Sequence, residues 1–337
     1  MEHLIGKQVK HDIINAYGAT VLPARTVIDH EALAVLSNHR IPLEHIAVVD
    51  LTLPEEDGEA AALLEQTVAV SKELIVSIKR SRKIPVIEIR KEILPAIRQI
   101  AERDNLFQLF ELVKAKDDYT YQHNIGVGVL STLIGRWMNL SEPELANLSL
   151  AATLHDIGKV KIPDEILNKP GKLTEDEYEL VKKHTIFGYE MLRDTRGISH
   201  RIALVALQHH EREDGRGYPF GLQKSKIDLL SSIVAVADIF HAMSSKRPYH
   251  EPLPFYEIVS QMQRGKFGEL DPKIISLFVD NMIRRLVGKQ VVLTDGRVAE
   301  VVYLNPHHME APLVKIEEEF IDLSRESSLQ IREILAW

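Results

Sequence analysis

The segment His209-His210-Glu211-Arg212-Glu213-Asp214-Gly215-Arg216-Gly217-Tyr218-Pro219 concentrates side chains able to do chemistry. Paired imidazoles beside carboxylates hold divalent transition metals, and glycines directly after them let the backbone approach a ligand closely. A second pair, His155-Asp156, lies upstream and is followed by Ile157-Gly158-Lys159. His123, His184 and Asp238 complete five potential ligand segments, each on or at the end of a stretch with helical periodicity. Asp238 follows the apolar run Ile233-Val234-Ala235-Val236-Ala237, where an unpaired carboxylate would cost several kcal/mol. One such histidine alone reads as a satisfied core residue, and Asp238 alone as half of a salt bridge. Five histidines and two aspartates in one apolar helical core do not, and shared coordination of metal satisfies them together.

Seven side chains exceed the three or four protein ligands usual in one open transition-metal site. Two metals sharing a carboxylate fit the number. Adjacent helical residues point about 100° apart, so His155 can bind one ion while Asp156 bridges to the second. Two metals about 3.5–4 Å apart hold a hydroxide and clamp the oxygens of an in-line phosphoryl displacement. Imidazole-rich ligation with carboxylates suits iron or manganese, with zinc and nickel as alternatives.

The elements that must position these residues are mostly helices, and the chain is expected to be mainly α. Residues 106–286 read as an all-helical domain. Ser141-Glu142-Pro143-Glu144 and Thr174-Glu175-Asp176-Glu177 have capping-box spacing, and Asp271-Pro272 starts a further helix. Residues 1–105 read as an N-terminal accessory or regulatory region whose first part is a small α/β unit. In it Val9–Ile13 pairs with Thr20–Leu22 around Ala16-Tyr17-Gly18, and Asp29 caps a helix through Leu33 and Leu36. From Gly58 to Ile100 the pattern is helical. Residues 287–337 read as a small all-β domain: a hairpin with Asp295-Gly296 at its turn, then strands around Val314 and Ile321.

Composition bounds the rest. At 337 residues, with 45% hydrophobic and 27% charged residues, the chain describes an ordinary globular protein of more than one domain. The absence of cysteine excludes disulfides, thiol catalysis and cysteine-ligated clusters. No run approaches the roughly 18 consecutive apolar residues of a membrane span, and the N-terminus lacks the apolar core of a signal peptide. A cytoplasmic protein with no membrane association is expected. The net charge of −8 argues against binding a nucleic acid polymer, though not against a small anionic ligand beside bound cations.

His155-Asp156-Ile157-Gly158-Lys159 resembles the signature of the HD superfamily of metal-dependent phosphohydrolases. His209-His210-Glu211 with Asp214-Gly215 and Gly217-Tyr218-Pro219 resembles the defining motif of its HD-GYP branch, bacterial cyclic di-GMP phosphodiesterases. Lys116–Thr120 with His123, Val181–His184, and Ala237–Phe240 with Ser245–Tyr249 are similar to that branch's remaining segments. The resemblance implies an HD-type helical core whose metal ligands are His123, His155, Asp156, His184, His209, His210 and Asp238. Asp156 and Lys159 would serve catalysis, with Lys159 also touching a substrate phosphate. Arg247 would contact the dinucleotide, and Gly217 and Tyr218 would shape the pocket wall. The implied reaction is hydrolysis of cyclic di-GMP to linear pGpG, GMP or both, by a hydroxide bridging two divalent ions.

Two positions depart from the family pattern. Tyr119 stands where some members carry a glutamate that holds a third metal, so two ions are expected. His241 stands where the family usually has aspartate, either as a group behind the ligands or merely tolerated. Other readings are an HD-type enzyme for another cyclic dinucleotide or nucleotide, and a catalytically silent cyclic di-GMP receptor. The β-rich tail reads as a packing module, with homodimerisation or partner docking as the alternative. The pair His307-His308 lies in a loop outside the helical ligand framework and reads as surface.

Overall fold

A computed structural model describes the chain except at residues 1–3, 6, 10, 11, 16–18, 24, 25, 40, 42–47, 50–54, 104, 115–118, 246–251, 264–269, 306, 307, 327, 336 and 337. The chain divides into two compact units, residues 1–58 with 283–337, and residues 59–282.

In the first unit, Asp29 starts α1 (His30–Asn38) by accepting the Ala32 N–H at 2.8 Å. Strands β1 (Gln8–Val9) and β4 (Val48–Val49) pair, as do β2 (Ile13–Ile14) and β3 (Thr20–Leu22), and an apolar cluster gathers Val9, Ile13, Leu22, Ile28, Leu33 and Leu36. Ile13 pairs with Leu22 as expected, but Val9 pairs with Val48. The partners are distant in sequence: the Val9 N–H donates to Thr26 O at 2.8 Å, so that stretch does not continue into the β2–β3 hairpin. The expected turn at residues 16–18 lies outside the described residues.

The C-terminal segment forms one antiparallel sheet. Its strands β5 (Gln290–Leu293), β6 (Val298–Asn305), β7 (His308–Ile316), β8 (Glu319–Asp322) and β9 (Ile331–Ile334) lie in the order β8-β7-β6-β5-β9. Gly296, at φ +90°, closes the β5–β6 hairpin where the Asp-Gly signal predicts it. Strand β9 was not expected; it fills the free edge of β5 and places Ile331 and Ile334 in the core. His308 opens β7 with a side chain 58% exposed, while His307 lies outside the described residues.

The second unit is helical, as expected. It contains α2 (Glu55–Ser81), which begins at the boundary, α3 (Val86–Glu88), a π-helical turn (Ile89–Ile93), α4 (Leu94–Ala101) and α5 (Leu106–Val113). Then come α6 (Tyr119–Trp137), α7 (Glu142–Leu154), a 3-10 turn (Ile157–Lys161), α8 (Asp164–Leu167), α9 (Glu175–Lys182) and α10 (His184–Arg193). The last are α11 (His200–Gln208), α12 (Leu229–Ser244), α13 (Phe255–Gln263) and α14 (Pro272–Arg284), the final two residues of which pass into the first unit. Both capping boxes form: Glu144 reaches back to the Ser141 N–H at 3.3 Å, and Glu177 to the Thr174 N–H at 2.7 Å. The grouping differs from a division at residue 105. Ile93, Ile97 and Ile100 are buried, and α4 packs on α6 and α7, so residues 59–105 join the helical unit. Among the described residues, no helix is long and apolar enough to cross a membrane.

Helix α6 packs on α7 and α12, α11 packs on α7 and α12, and α10 packs on α11 and the 3-10 turn. That arrangement places every ligand-bearing element beside another. A close backbone approach holds the last contact: a Cβ on Gly158 would lie 1.9 Å from His184 O and 2.5 Å from Gly188 N. Gly158→Ala must therefore separate the turn from α10, and denaturant unfolding should show a loss of about 3 kcal/mol or more. Gly58→Ala, on α2 with open space around it, should gain about 0.5–1 kcal/mol; equal effects of the two substitutions would contradict the packing argument.

Candidate metal centre

Three of the expected ligands stand at helix C-termini, and the helix end itself orients them. His155 caps α7, His209 caps α11, and His184 follows α9 by two residues. The last carbonyls of a helix have no intrahelical partner. His155 Nδ1 lies 2.7 Å from Ala152 O, His184 Nδ1 lies 2.7 Å from Val181 O, and His209 Nδ1 lies 3.0 Å from Ala206 O. Carbonyl oxygens only accept, so each Nδ1 carries the proton and each Nε2 presents a lone pair.

Those lone pairs converge on Asp156, which directly precedes the 3-10 turn. Asp156 Oδ1 lies 3.2 Å from His184 Nε2 and 3.7 Å from His209 Nε2, and Oδ2 lies 3.5 Å from His155 Nε2. His123, on α6, places Nε2 3.0 Å from Asp238 Oδ1 and 4.0 Å from Asp156 Oδ2. Two groups result: Asp156, His184, His209 and His210 on one side, and His123, His155 and Asp238 on the other, the donor atoms of each within 4.8 Å of one another. All are buried except His210, which is half-buried. All seven sequence-predicted ligands are thus brought together.

The remaining expected residues surround this cluster unevenly. The Lys159 ammonium, 30% exposed, pairs with Asp156 Oδ2. The Tyr218 ring stacks on His210, with centroids 4.6 Å apart and planes inclined by 28°. Gly217 has no room for a side chain, because a Cβ would lie 2.4 Å from Arg212 N and 2.5 Å from His210 O. Arg247 and residues 115–118 lie outside the described residues, and the structure describes no side chain for Tyr119.

Two contributors carry no role in the sequence reading. Glu211, buried, accepts the backbone N–H groups of Phe220 and Leu222, both at 2.7 Å, and so holds the loop that carries Tyr218. Its place inside the His-His-Glu run was the available signal. Lys182 Nζ, at the end of α9, lies 5.8 Å from the centroid of Tyr218.

Electrostatics and hydrogen bonding agree that these residues fit a divalent cation. Burial pushes His155 down to about 4 and lowers His184 and His210 as well, so these three imidazoles are neutral at pH 7. Burial raises the carboxyls of Asp156 and Asp238, but the groups around them, Lys159 first for Asp156 and His123 for Asp238, hold both well below the usual range. His155 Nε2 and Asp156 Oδ1 have no hydrogen-bond partner although both are buried. Lone pairs facing a carboxylate repel it unless a cation lies between them, and neutral imidazole with ionised carboxylate is the state that binds metal. The donor set fits a divalent metal ion.

The helical unit gathers five imidazoles and two aspartates into one donor cluster able to hold metal. The HD domain family profile matches residues 99–274. The chain belongs to the HD domain family. It is 40% identical over 204 residues to a cyclic di-GMP phosphodiesterase of Pseudomonas aeruginosa, covering 60% of this chain and 49% of the relative. It is 38% identical over 171 residues to a 3′3′-cGAMP-specific phosphodiesterase of Vibrio cholerae, covering 50% of this chain and 39% of that one. The chain thus spans half or less of the length of these relatives. An HDG"Y"P protein of Bdellovibrio bacteriovorus shares the fold at a TM-score of 0.53 and 17% identity, over 83% of this chain and 96% of that one.

The pKa of His155 has a consequence for stability. Between its folded value of about 4 and the ordinary ~6.5, the unfolded chain binds a proton that the folded state refuses. The metal-free protein should therefore keep this contribution above about pH 6.5 and lose it as the pH falls to about 4, by about 3 kcal/mol. Asp156 and Asp238 act in the same direction at lower pH. Urea midpoints of metal-free protein measured at pH 7.5 and pH 5 check this, and an unchanged midpoint would contradict it.

Proposed function

We propose that the chain is a metal-dependent phosphodiesterase that hydrolyses cyclic di-GMP to linear pGpG, GMP or both. The observation that carries the reading is the position of the Asp156 carboxylate, with Oδ1 turned to His184 and His209 and Oδ2 turned to His155 and His123. A carboxylate so placed would be shared by two ions. His123, His155 and Asp238 would hold one and His184, His209 and His210 the other. Iron and manganese suit this balance of imidazole and carboxylate best. When bound, two such ions supply Lewis acidity and lower the pKa of water to near neutrality.

The chain's own residues supply the rest. Hydrolysis adds the oxygen of water to phosphorus while the 3′-oxygen leaves and takes a proton. Lys159, tied to Asp156 yet partly exposed, would meet a phosphate oxygen as a point charge. Tyr218, fixed against His210, would form an aromatic wall for the dinucleotide, backed by the closely packed Gly217, and Arg247 would contact the ligand from the segment after α12. We read the unit of residues 1–58 and 283–337 as accessory to this centre. A second reading keeps the chemistry and changes the substrate to the mixed guanine–adenine cyclic dinucleotide, as the Vibrio cholerae relative favours.

Incubation of iron- or manganese-loaded protein with each dinucleotide, followed by chromatographic separation, should yield pGpG or GMP from cyclic di-GMP. Turnover only of the mixed dinucleotide would favour the second reading, and binding without turnover would leave a receptor. Asp156→Ala should abolish hydrolysis, a loss of at least about 10³-fold, and lower the metal content. Metal analysis should find two ions per chain, and three would refute the two-ion site.

A further inference from the structure

The imidazole of His123 cannot be oriented as those of His155, His184 and His209 are. It lies inside α6, where the carbonyls of the preceding turn are engaged in the helix ladder, and only the last carbonyls of a helix remain available. The structure supplies another partner from a different helix. His123 Nδ1 lies 3.1 Å from Nδ1 of His241, which is fully buried on α12. His241 Nε2 in turn lies 2.8 Å from Val113 O, at the C-terminal end of α5.

We propose that His241 is a positioning residue for the metal centre, holding the Nδ1–H of His123 so that the Nε2 lone pair is presented beside Asp238. The proposal rests on the reading of His123 as a metal ligand. The Val113 carbonyl can only accept, so His241 carries its proton on Nε2 and its Nδ1 is an acceptor. Nδ1 of His123 must then be the donor, which leaves Nε2, 3.0 Å from Asp238 Oδ1, to the metal. A ligating histidine whose other nitrogen donates to an acceptor is fixed in tautomer and ring orientation and gains basicity. Gly126, on α6, makes the space: a Cβ there would lie 2.1 Å from His241 Nε2. Ser245 Oγ, 3.3 Å from His241 Nδ1, approaches the same acceptor.

Two measurements on the full chain test this. Nitrogen-15 spectra of histidine-labelled wild-type protein, metal-free and zinc-loaded, should show His241 bearing hydrogen on Nε2 and His123 bearing hydrogen on Nδ1. A His241 bearing hydrogen on Nδ1 alone would overturn the proposal. Competition titration with zinc should find His241→Asn, whose amide oxygen can still accept, within about threefold of wild type, and His241→Leu weakened by about 10–100-fold at one site. Equal zinc affinity of His241→Leu and wild type would also overturn it. If His241→Leu does not fold, the wild-type spectra and His241→Asn decide alone. Failure of wild-type protein to bind zinc would remove the metal-centre reading, whereas the hydrogen on His241 is read in metal-free protein and is judged separately.

Discussion

A carboxylate buried among imidazole lone pairs is the constraint on which the rest of this structure depends. Asp156 is 4% exposed, and its oxygens face four histidine Nε2 atoms and one lysine. An isolated charge in that setting would be untenable, and a set of neutral acceptors around it makes matters worse. Positive charge is needed there, and the donor atoms of each group lie within 4.8 Å of one another, close enough to share one cation. Lys159 supplies one cationic group from within the chain, and a divalent metal would supply the remainder. A site of this kind is arranged as it would be for ligation, which costs stability to the metal-free protein.

Helix ends accomplish most of that construction. Three of the histidines stand where a helix runs out of backbone donors, and they take the leftover carbonyls for their Nδ1–H groups. One local feature thus satisfies an orphan acceptor, selects a tautomer and aims a ligand. The capping box at Thr174 helps to set where α9 runs, and its C-terminal end lies just before His184. His123 is the exception. Being inside a helix, it depends on His241 and on the space left by Gly126, a tertiary solution to a problem the others solve locally.

Much of this was legible in the residues because the interactions are short in range. The capping boxes, the Asp295-Gly296 hairpin and the helical periodicity around each ligand depend on neighbours within a few positions. The ligand set could be inferred because five histidines and two aspartates in apolar settings have few other ways to be satisfied. Pairings that depend on distant partners were not legible. Val9 turns to Thr26 and Val48 instead of continuing into the β2–β3 hairpin. Ile331–Ile334 becomes a strand because β5 has an open edge, and residues 59–105 join the helical unit because α4 buries its isoleucines against α6 and α7.

By itself, the sequence determined the helical character of the central region, the small β-rich tail and the side chains that meet at the centre. Those follow from periodicity, capping and the cost of burying polar groups, which are properties of residues and their near neighbours. Only the tertiary structure decided which oxygen of Asp156 faces which histidine, and that Glu211 ties down the loop of Tyr218. It also decided that His241, 118 positions from His123, is its partner. These depend on how α6, α10, α11 and α12 pack, and packing is set by shape and backbone approach across the whole unit, as at Gly158 and Gly126, which no local pattern encodes.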